Sequence, residues 1–325
     1  MNTEKKVPLE CFAPPAQSRI LINSYLDYRA TENDLFKKIP SYSTVLAYRS
    51  DLYRFADWMD EKGLLLHEAT AENVKDYLSS IRVRDRAPKP TFIARQHSSL
   101  NCFFEYLVSE EIVQSNPVED VEKPKIVRSI PRCLARREVD RLLDVLDIDS
   151  PHEHRNRTML EVLYRCGLNP SELVNLKLSQ VKFGEKTLEI PGEKGRRRTI
   201  PMGHELYDWL IDFIQYFRGD ILKGRKSDYV FPTRRGDRMT RQALWHITKN
   251  LAERAGIAED RVSPMMFRHA YAAREREGGT SLSSLQTTLG HSEESTTKKA
   301  YGQIEKRPET RAQPILSGDA TRGLV

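Results

Sequence analysis

Three clusters of cationic side chains stand out as residues able to do chemistry: Arg82, Arg84, Arg86, Lys89 and Arg95; Lys194, Arg196, Arg197 and Arg198; and a third spanning 223–241. Spaced cations of this kind suit a polyphosphate backbone, whose binding is driven by counterion release. For any single cluster the alternative is a solvated charged face. The charge is unevenly shared. Residues 1–130 hold 18 basic and 19 acidic groups, which leaves 34 and 27 for 131–325, so the net charge of +6 resides in the C-terminal part. Cys11, Cys102, Cys133 and Cys166 are too scattered for a zinc cluster and read as reduced, partly buried thiols. No run of about 18 apolar residues occurs, and the start Met1-Asn2-Thr3-Glu4-Lys5-Lys6 lacks the apolar stretch of a signal peptide. A cytoplasmic location without a membrane partner is therefore expected.

The elements that must position these cations fall into two groups, and 325 residues suffice for two packed cores. The first 110 residues are helical in pattern. After Ser41 and Ser43, plausible caps, Val45, Leu46, Leu52, Phe55, Trp58 and Met59 share roughly one face until Gly63. Thr70 caps a second helix through Leu78, Phe92 to Leu107 form a third stripe, and an earlier segment at 20–28 completes a four-helix bundle. Pro117, Pro124 and Pro131 then exclude a continuous helix. This places an N-terminal domain at 1–120, a linker at 121–131, a second domain at 132–304 and an extended tail at 305–325. In the second domain helical patterns at 136–146 and 157–164, and a helix opened by Pro170, precede two strand-like runs, 187–190 and 198–201, which read as a β-hairpin with a basic loop. Helical stripes resume at 206–217, 241–255, 264–276 and 282–289. The fold class expected is mainly α with a small β-hairpin or sheet.

Several segments of the second domain, in order, resemble the tyrosine recombinase (phage integrase) family, particularly its Xer-type members. They are Met159-Leu160-Glu161-Val162-Leu163-Tyr164 with Gly167-Leu168-Asn169-Pro170-Ser171-Glu172-Leu173; Gly192-Glu193-Lys194-Gly195 before Ile200-Pro201; Val230-Phe231-Pro232; Met239-Thr240-Arg241-Gln242; Ser263-Pro264-Met265-Met266-Phe267-Arg268-His269-Ala270; and Leu289-Gly290-His291-Ser292 through Ser295-Thr296-Thr297 to Tyr301. The resemblance covers 131–303, and the N-terminal domain matches the family's core-binding domain by architecture. It implies site-specific DNA recombination or integration. A tyrosine hydroxyl cuts one strand, holds the broken end as a 3′-phosphotyrosyl ester and passes it to another strand, without metal or nucleotide cofactor. Double-stranded DNA is the implied partner, bound as a tetramer on paired sites, with a second recombinase as a further possible partner.

By the same resemblance Tyr301 is the nucleophile, Arg268 the family's second arginine, Lys194 the hairpin lysine that protonates the leaving 5′ oxygen, and His291 the late histidine that donates to the phosphate. Arg82, Arg84, Arg86, Lys89, Arg95, Arg196, Arg197, Arg198 and Arg241 are expected to contact DNA, with a helix carrying Arg95, Gln96 and Ser98 in a major groove. Three positions depart from the pattern. The family's first arginine falls on Asn169, a neutral amide that cannot balance a phosphate charge, although Arg165 lies one helical turn earlier. Its early histidine falls on Met265, whose thioether donates no proton; His269 is present in the family in addition and is no substitute. The tyrosine stands ten rather than nine residues after His291, a rotation of roughly 100° on a helix. Two readings follow: a working recombinase, and a family member with impaired cleavage that serves as a DNA-binding accessory or partner of an active recombinase. A helical interaction protein with incidental basic patches is the third.

Overall fold

The computed structural model describes residues 14–31, 35–36, 40–84, 88–124, 133–192, 196–291 and 293–304. The chain divides into two compact units, Met1–Arg128 and Ser129–Val325. Most of the expected linker and the whole tail at 305–325 lie outside the described residues.

The first unit contains four long helices: α1 (Pro14–Ala30), α2 (Tyr42–Glu61), α3 (Ala71–Arg84) and α4 (Pro90–Ser109). Ser41, rather than Ser43, caps α2, its Oγ accepting the Thr44 N–H at 3.3 Å. Thr70 and Asn73 cap each other reciprocally ahead of α3. The apolar stripes then meet. Leu52, Phe55 and Met59 of α2, Val74 and Tyr77 of α3, and Leu100, Phe103, Phe104 and Leu107 of α4 are all buried. Edge-to-face rings fix their packing, with centroids 4.9 Å apart for Phe55–Tyr77 and 5.5 Å for Tyr25–Phe103. One polar chain crosses this core: Tyr77 Oη donates to Gln96 Oε1 at 3.0 Å, and Gln96 Nε2 donates to Asp51 Oδ1 at 2.5 Å. Burial pushes the Asp51 carboxyl up to about 6, opposed by Arg95 beside it.

The second unit is organised on α6 (Pro151–Cys166), whose Thr158, Met159, Leu160, Val162, Leu163 and Cys166 are fully buried on several faces. The other helices are α5 (Arg136–Asp144), α7 (Pro170–Val174), α8 (His204–Asp212), α9 (Arg218–Leu222), α10 (Arg241–Arg254), α11 (Pro264–Glu277), α12 (Leu282–Leu289) and α13 (Glu294–Tyr301), with a π turn at Phe213–Phe217 inside the stripe expected as one helix. The hairpin is part of a three-stranded antiparallel sheet, β1 (Val181–Lys182), β2 (Thr187–Pro191) and β3 (Arg197–Pro201). β1 is two residues long, too short to display the period-two pattern by which a strand is read. Register pairs Leu188 with Ile200 and Ile190 with Arg198. Because Leu188, Ile190 and Ile200 face the core, the same alternation turns Arg198 inward while Arg197 and Thr199 face out.

Gly167 ends α6 in the left-handed conformation (φ 63°), and a Cβ there would lie 2.3 Å from Tyr271 Cδ1. Gly167→Ala therefore combines backbone strain with a clash against a buried ring. It should lower unfolding stability by about 3 kcal/mol, read from the urea midpoint; an unchanged midpoint would mean that this turn relaxes freely. Among the described residues no helix is long and apolar enough to cross a membrane.

Candidate functional site

Arg268 and His269 occupy the first half of α11, opened by Pro264 at the N-terminal turn. α12 closes on Gly290 in the left-handed conformation (φ 69°), which delivers His291 beside Arg268. Arg268 is 4% exposed. Its Nη1 donates to Gly167 O at 2.6 Å and its Nη2 to Leu289 O at 2.7 Å and to His291 Nε2 at 3.1 Å. Three of its five N–H donors are thus used in hydrogen bonds. His291 Nε2 accepts from Arg268, which puts the ring proton on Nδ1 and lets it donate to Thr297 Oγ1 at 2.7 Å. Burial, then the Arg268 charge, hold the His291 ring down to about 4. It is neutral at physiological pH.

α13 brings Thr297 and Tyr301 to the same buried face, since residues four apart are neighbours on a helix. Thr297 meets His291, and Tyr301 Oη shares a hydrogen bond with His269 Nδ1 at 2.6 Å. The phenol ring, 2% exposed, packs in a small core of its own with Tyr271, Ala272, Leu285 and Leu289. Burial pushes the hydroxyl up to about 12, and burial with Arg268 pushes His269 down to about 4. Tyr301, Arg268 and His291 are thereby gathered by three consecutive helices, the ten-residue interval notwithstanding. Lys194 lies outside the described residues.

Asn169 has a structural job. Its Oδ1 accepts the Glu172 N–H and its own N–H donates to Glu172 Oε2, both at 2.8 Å, so the pair closes a capping box on α7. The same Glu172 oxygen accepts Arg198 Nη2 at 2.8 Å and stands 3.8 Å from Arg268 Nη1. Arg198 Nε donates to Thr288 O at 2.8 Å, and its side chain is 9% exposed. Gly290 permits this approach, because a Cβ there would lie 2.6 Å from Arg198 Nη1. Arg198, expected among the DNA contacts on the hairpin, is thus an inward-facing guanidinium beside Arg268, whereas Arg196 and Arg197 are exposed. Arg165 is engaged by Glu161 at 2.5 Å and by Glu205, so it is not a free replacement for the absent arginine. Met265 is 38% exposed. Among the described residues no group of three or more His, Cys, Asp or Glu is placed to hold a metal ion.

In the first unit Arg54, Lys89, Thr91, Phe92 and Arg95 line an open groove between α2 and the start of α4. The Arg54 and Arg95 guanidinium groups stand 5.4 and 5.3 Å from the centre of the Phe92 ring. Arg95 is also anchored by Asp51 at 2.5 Å and by Ala47 O at 3.3 Å. Gln96 is fully buried in the Tyr77–Asp51 network and reads no base, which corrects the expected groove-facing trio. Arg82, Lys89 and Arg241 are exposed; the side chain of Arg84 and all of Arg86 lie outside the described residues. Two residues escaped the sequence reading. Arg54 follows Ala47 and Asp51 at seven and three residues, one helical stripe that faces Arg95, and this spacing is the signal that finds it. His269 carries no sequence signal beyond its place after Arg268, and only the packing of α13 puts it against the phenol.

Residues 132–307 match the Phage integrase family and residues 24–111 the phage integrase N-terminal SAM-like domain. The chain belongs to the phage integrase family, whose members are tyrosine recombinases. It is similar to tyrosine recombinase XerD of Pseudomonas putida, 38% identical over 284 residues that cover 87% of this chain and 93% of that protein. XerD of Proteus mirabilis is 37% identical over 279 residues, 86% of this chain and 87% of that one. Among solved structures, XerH site-specific recombinase bound to palindromic difH substrate superposes with a TM-score of 0.74 at 15% identity, covering 91% of this chain and 96% of that one. The lambda integrase (75–356) dimer bound to a COC′ core site gives 0.66 at 14% identity, with the same coverage. At these identities the structural likeness is one of fold.

Proposed function

We propose that the chain is a site-specific DNA recombinase that exchanges strands through a 3′-phosphotyrosyl intermediate on Tyr301. The observation that carries this reading is the convergence of phenol, guanidinium and imidazole at Tyr301, Arg268 and His291. Arg268 grips the scissile phosphate, and His291, accepting one of its Nη2 hydrogens, holds that guanidinium in place, so charge developing on the phosphoryl oxygens meets a cation fixed before reaction. Lys194 protonates the leaving 5′ oxygen. The N-terminal domain (1–120) binds the core site and the second domain (132–304) cuts it; the chains act as a tetramer on paired sites, with a second recombinase as a possible co-partner. The accessory reading, without cleavage, is not favoured, because the relatives over most of the chain are tyrosine recombinases.

The test is covalent trapping on a nicked suicide duplex carrying the site selected from a random pool by binding. A denaturant-resistant protein–DNA adduct is expected. If neither an adduct nor relaxation of supercoiled DNA bearing that site appears, this reading fails. Binding should also weaken with salt; a log-affinity slope near zero would exclude phosphate contacts. Lys89→Glu, at the exposed edge of the first-unit groove, should weaken binding to all sequences alike and lower the salt slope by about 1. Unchanged affinity in a filter-binding titration would remove that groove from the DNA face.

A further inference from the structure

We propose that His269 takes the proton of Tyr301 as its oxygen attacks phosphorus, filling the place of a proton-handling side chain that Met265 lacks. This rests on the recombinase reading above. The hydrogen bond from Tyr301 Oη to His269 Nδ1 is 2.6 Å long, already within the distance proton transfer requires. In the tautomer that carries its proton on Nε2, the Nδ1 lone pair faces the phenol and accepts its hydrogen. No other group among the described residues hydrogen-bonds the phenol. His291 has both nitrogens occupied, by Arg268 and by Thr297. A thioether at position 265 binds no proton.

The charged and titratable groups facing His269 are few. Arg268 precedes it on α11, Tyr301 meets it from α13, His291 feels its charge from the end of α12, and Cys133 lies against its backbone, Sγ to His269 O at 3.6 Å. Arg268 is one of the two causes that depress the ring, after burial. A phosphate anion bound by Arg268 offsets that charge, so DNA binding itself raises the basicity of the neighbouring imidazole. The resting phenol stays protonated, and transfer occurs as the bond to phosphorus forms and the phenol becomes acidic. Tyr301 Oη bonds phosphorus, the phosphorus–O5′ bond breaks, the phenolic proton moves to His269 Nδ1, and the departing O5′ takes a proton from the ammonium of Lys194. Religation runs the same transfers backwards: the incoming 5′ hydroxyl returns its proton to Lys194, and His269 reprotonates the leaving phenolate.

Adduct formation on the nicked duplex is measured across pH 5 to 9 for the wild type, His269→Gln and His269→Gly. His269→Gln is expected to bind the duplex normally yet form adduct about 100-fold or more slowly, with a rate that climbs toward high pH where the phenol ionises unaided. Added imidazole should restore His269→Gly, which a merely structural role would not allow. A bridging 5′-phosphorothiolate, whose sulfur leaves without protonation, should not relieve the His269→Gln deficit. A wild-type rate in His269→Gln, absence of imidazole rescue with an unchanged pH profile, or recovery with the phosphorothiolate each overturns the proposal alone. Absence of any adduct from the wild type overturns both it and the recombinase reading.

Discussion

Tyr301→Phe is expected to abolish covalent adduct and strand exchange while leaving DNA affinity within about twofold. The substitution removes one oxygen and keeps the ring, which continues to fill the cluster of Tyr271, Leu285 and Leu289. What is lost structurally is the bond to His269 Nδ1, so one buried acceptor goes unpaired at a cost of about 1–2 kcal/mol. That is too little to unfold a domain of this size but measurable in urea. Chemically nothing else stands ready. Tyr271, the nearest other phenol in that cluster, is buried against Gly167, with its own hydroxyl pushed up to about 12 chiefly by burial. Persistence of the adduct in Tyr301→Phe, mapped by peptide digestion to another residue, would take the nucleophile away from α13. Loss of DNA binding alongside the adduct would show that the phenol is needed for the fold and leave its chemistry unassigned.

How far the sequence carried differs between the two units for physical reasons. α2, α3 and α4 were legible because each is amphipathic, carries its own cap or proline at the start and buries a single stripe. α6 is legible from its apolar run after Arg157, but its first turns, His152 to Asn156, are all polar and carry no apolar period to extend the helix back to Pro151. Arg198 shows where composition misleads. Within the run Arg196-Arg197-Arg198 all three look like surface cations, yet the strand period that buries Ile200 also turns Arg198 inward. That alternation was readable; the partner awaiting it, Glu172, comes from a helix twenty-six residues earlier and was not. Similarly, Asn169 is visible as a departure from the family arginine, but its capping of α7 shows only once the backbone is placed. The long-range meeting of Tyr301 with His269, thirty-two residues apart, is a product of helix packing that no local pattern encodes.

The double substitution Asn169→Arg with Met265→His is expected to speed adduct formation by about 100-fold or more, the order gained when a donor or arginine is set opposite a transferring phosphoryl group. Its structural costs are unequal. Position 265 is 38% exposed, so an imidazole is accommodated without displacing core. Position 169 is the N-cap of α7, and exchanging its amide for a guanidinium forfeits the bond to the Glu172 N–H, about 1 kcal/mol of stability. The new cation would also join Arg198 and Arg268 around Glu172, a crowding of like charge that a bound phosphate relieves. The variant should therefore be less stable alone and gain more from DNA than the wild type does, which thermal unfolding with and without the site duplex measures. A faster reaction that Asn169→Arg alone reproduces would establish that the missing guanidinium limits the chemistry, whereas a gain that needs Met265→His would count against His269 as the proton acceptor. An unchanged rate would assign the missing electrostatic role to Arg198, whose guanidinium already shares Glu172 with Arg268, and a rate lost together with Glu172→Gln would confirm that the carboxylate holds that arrangement in place.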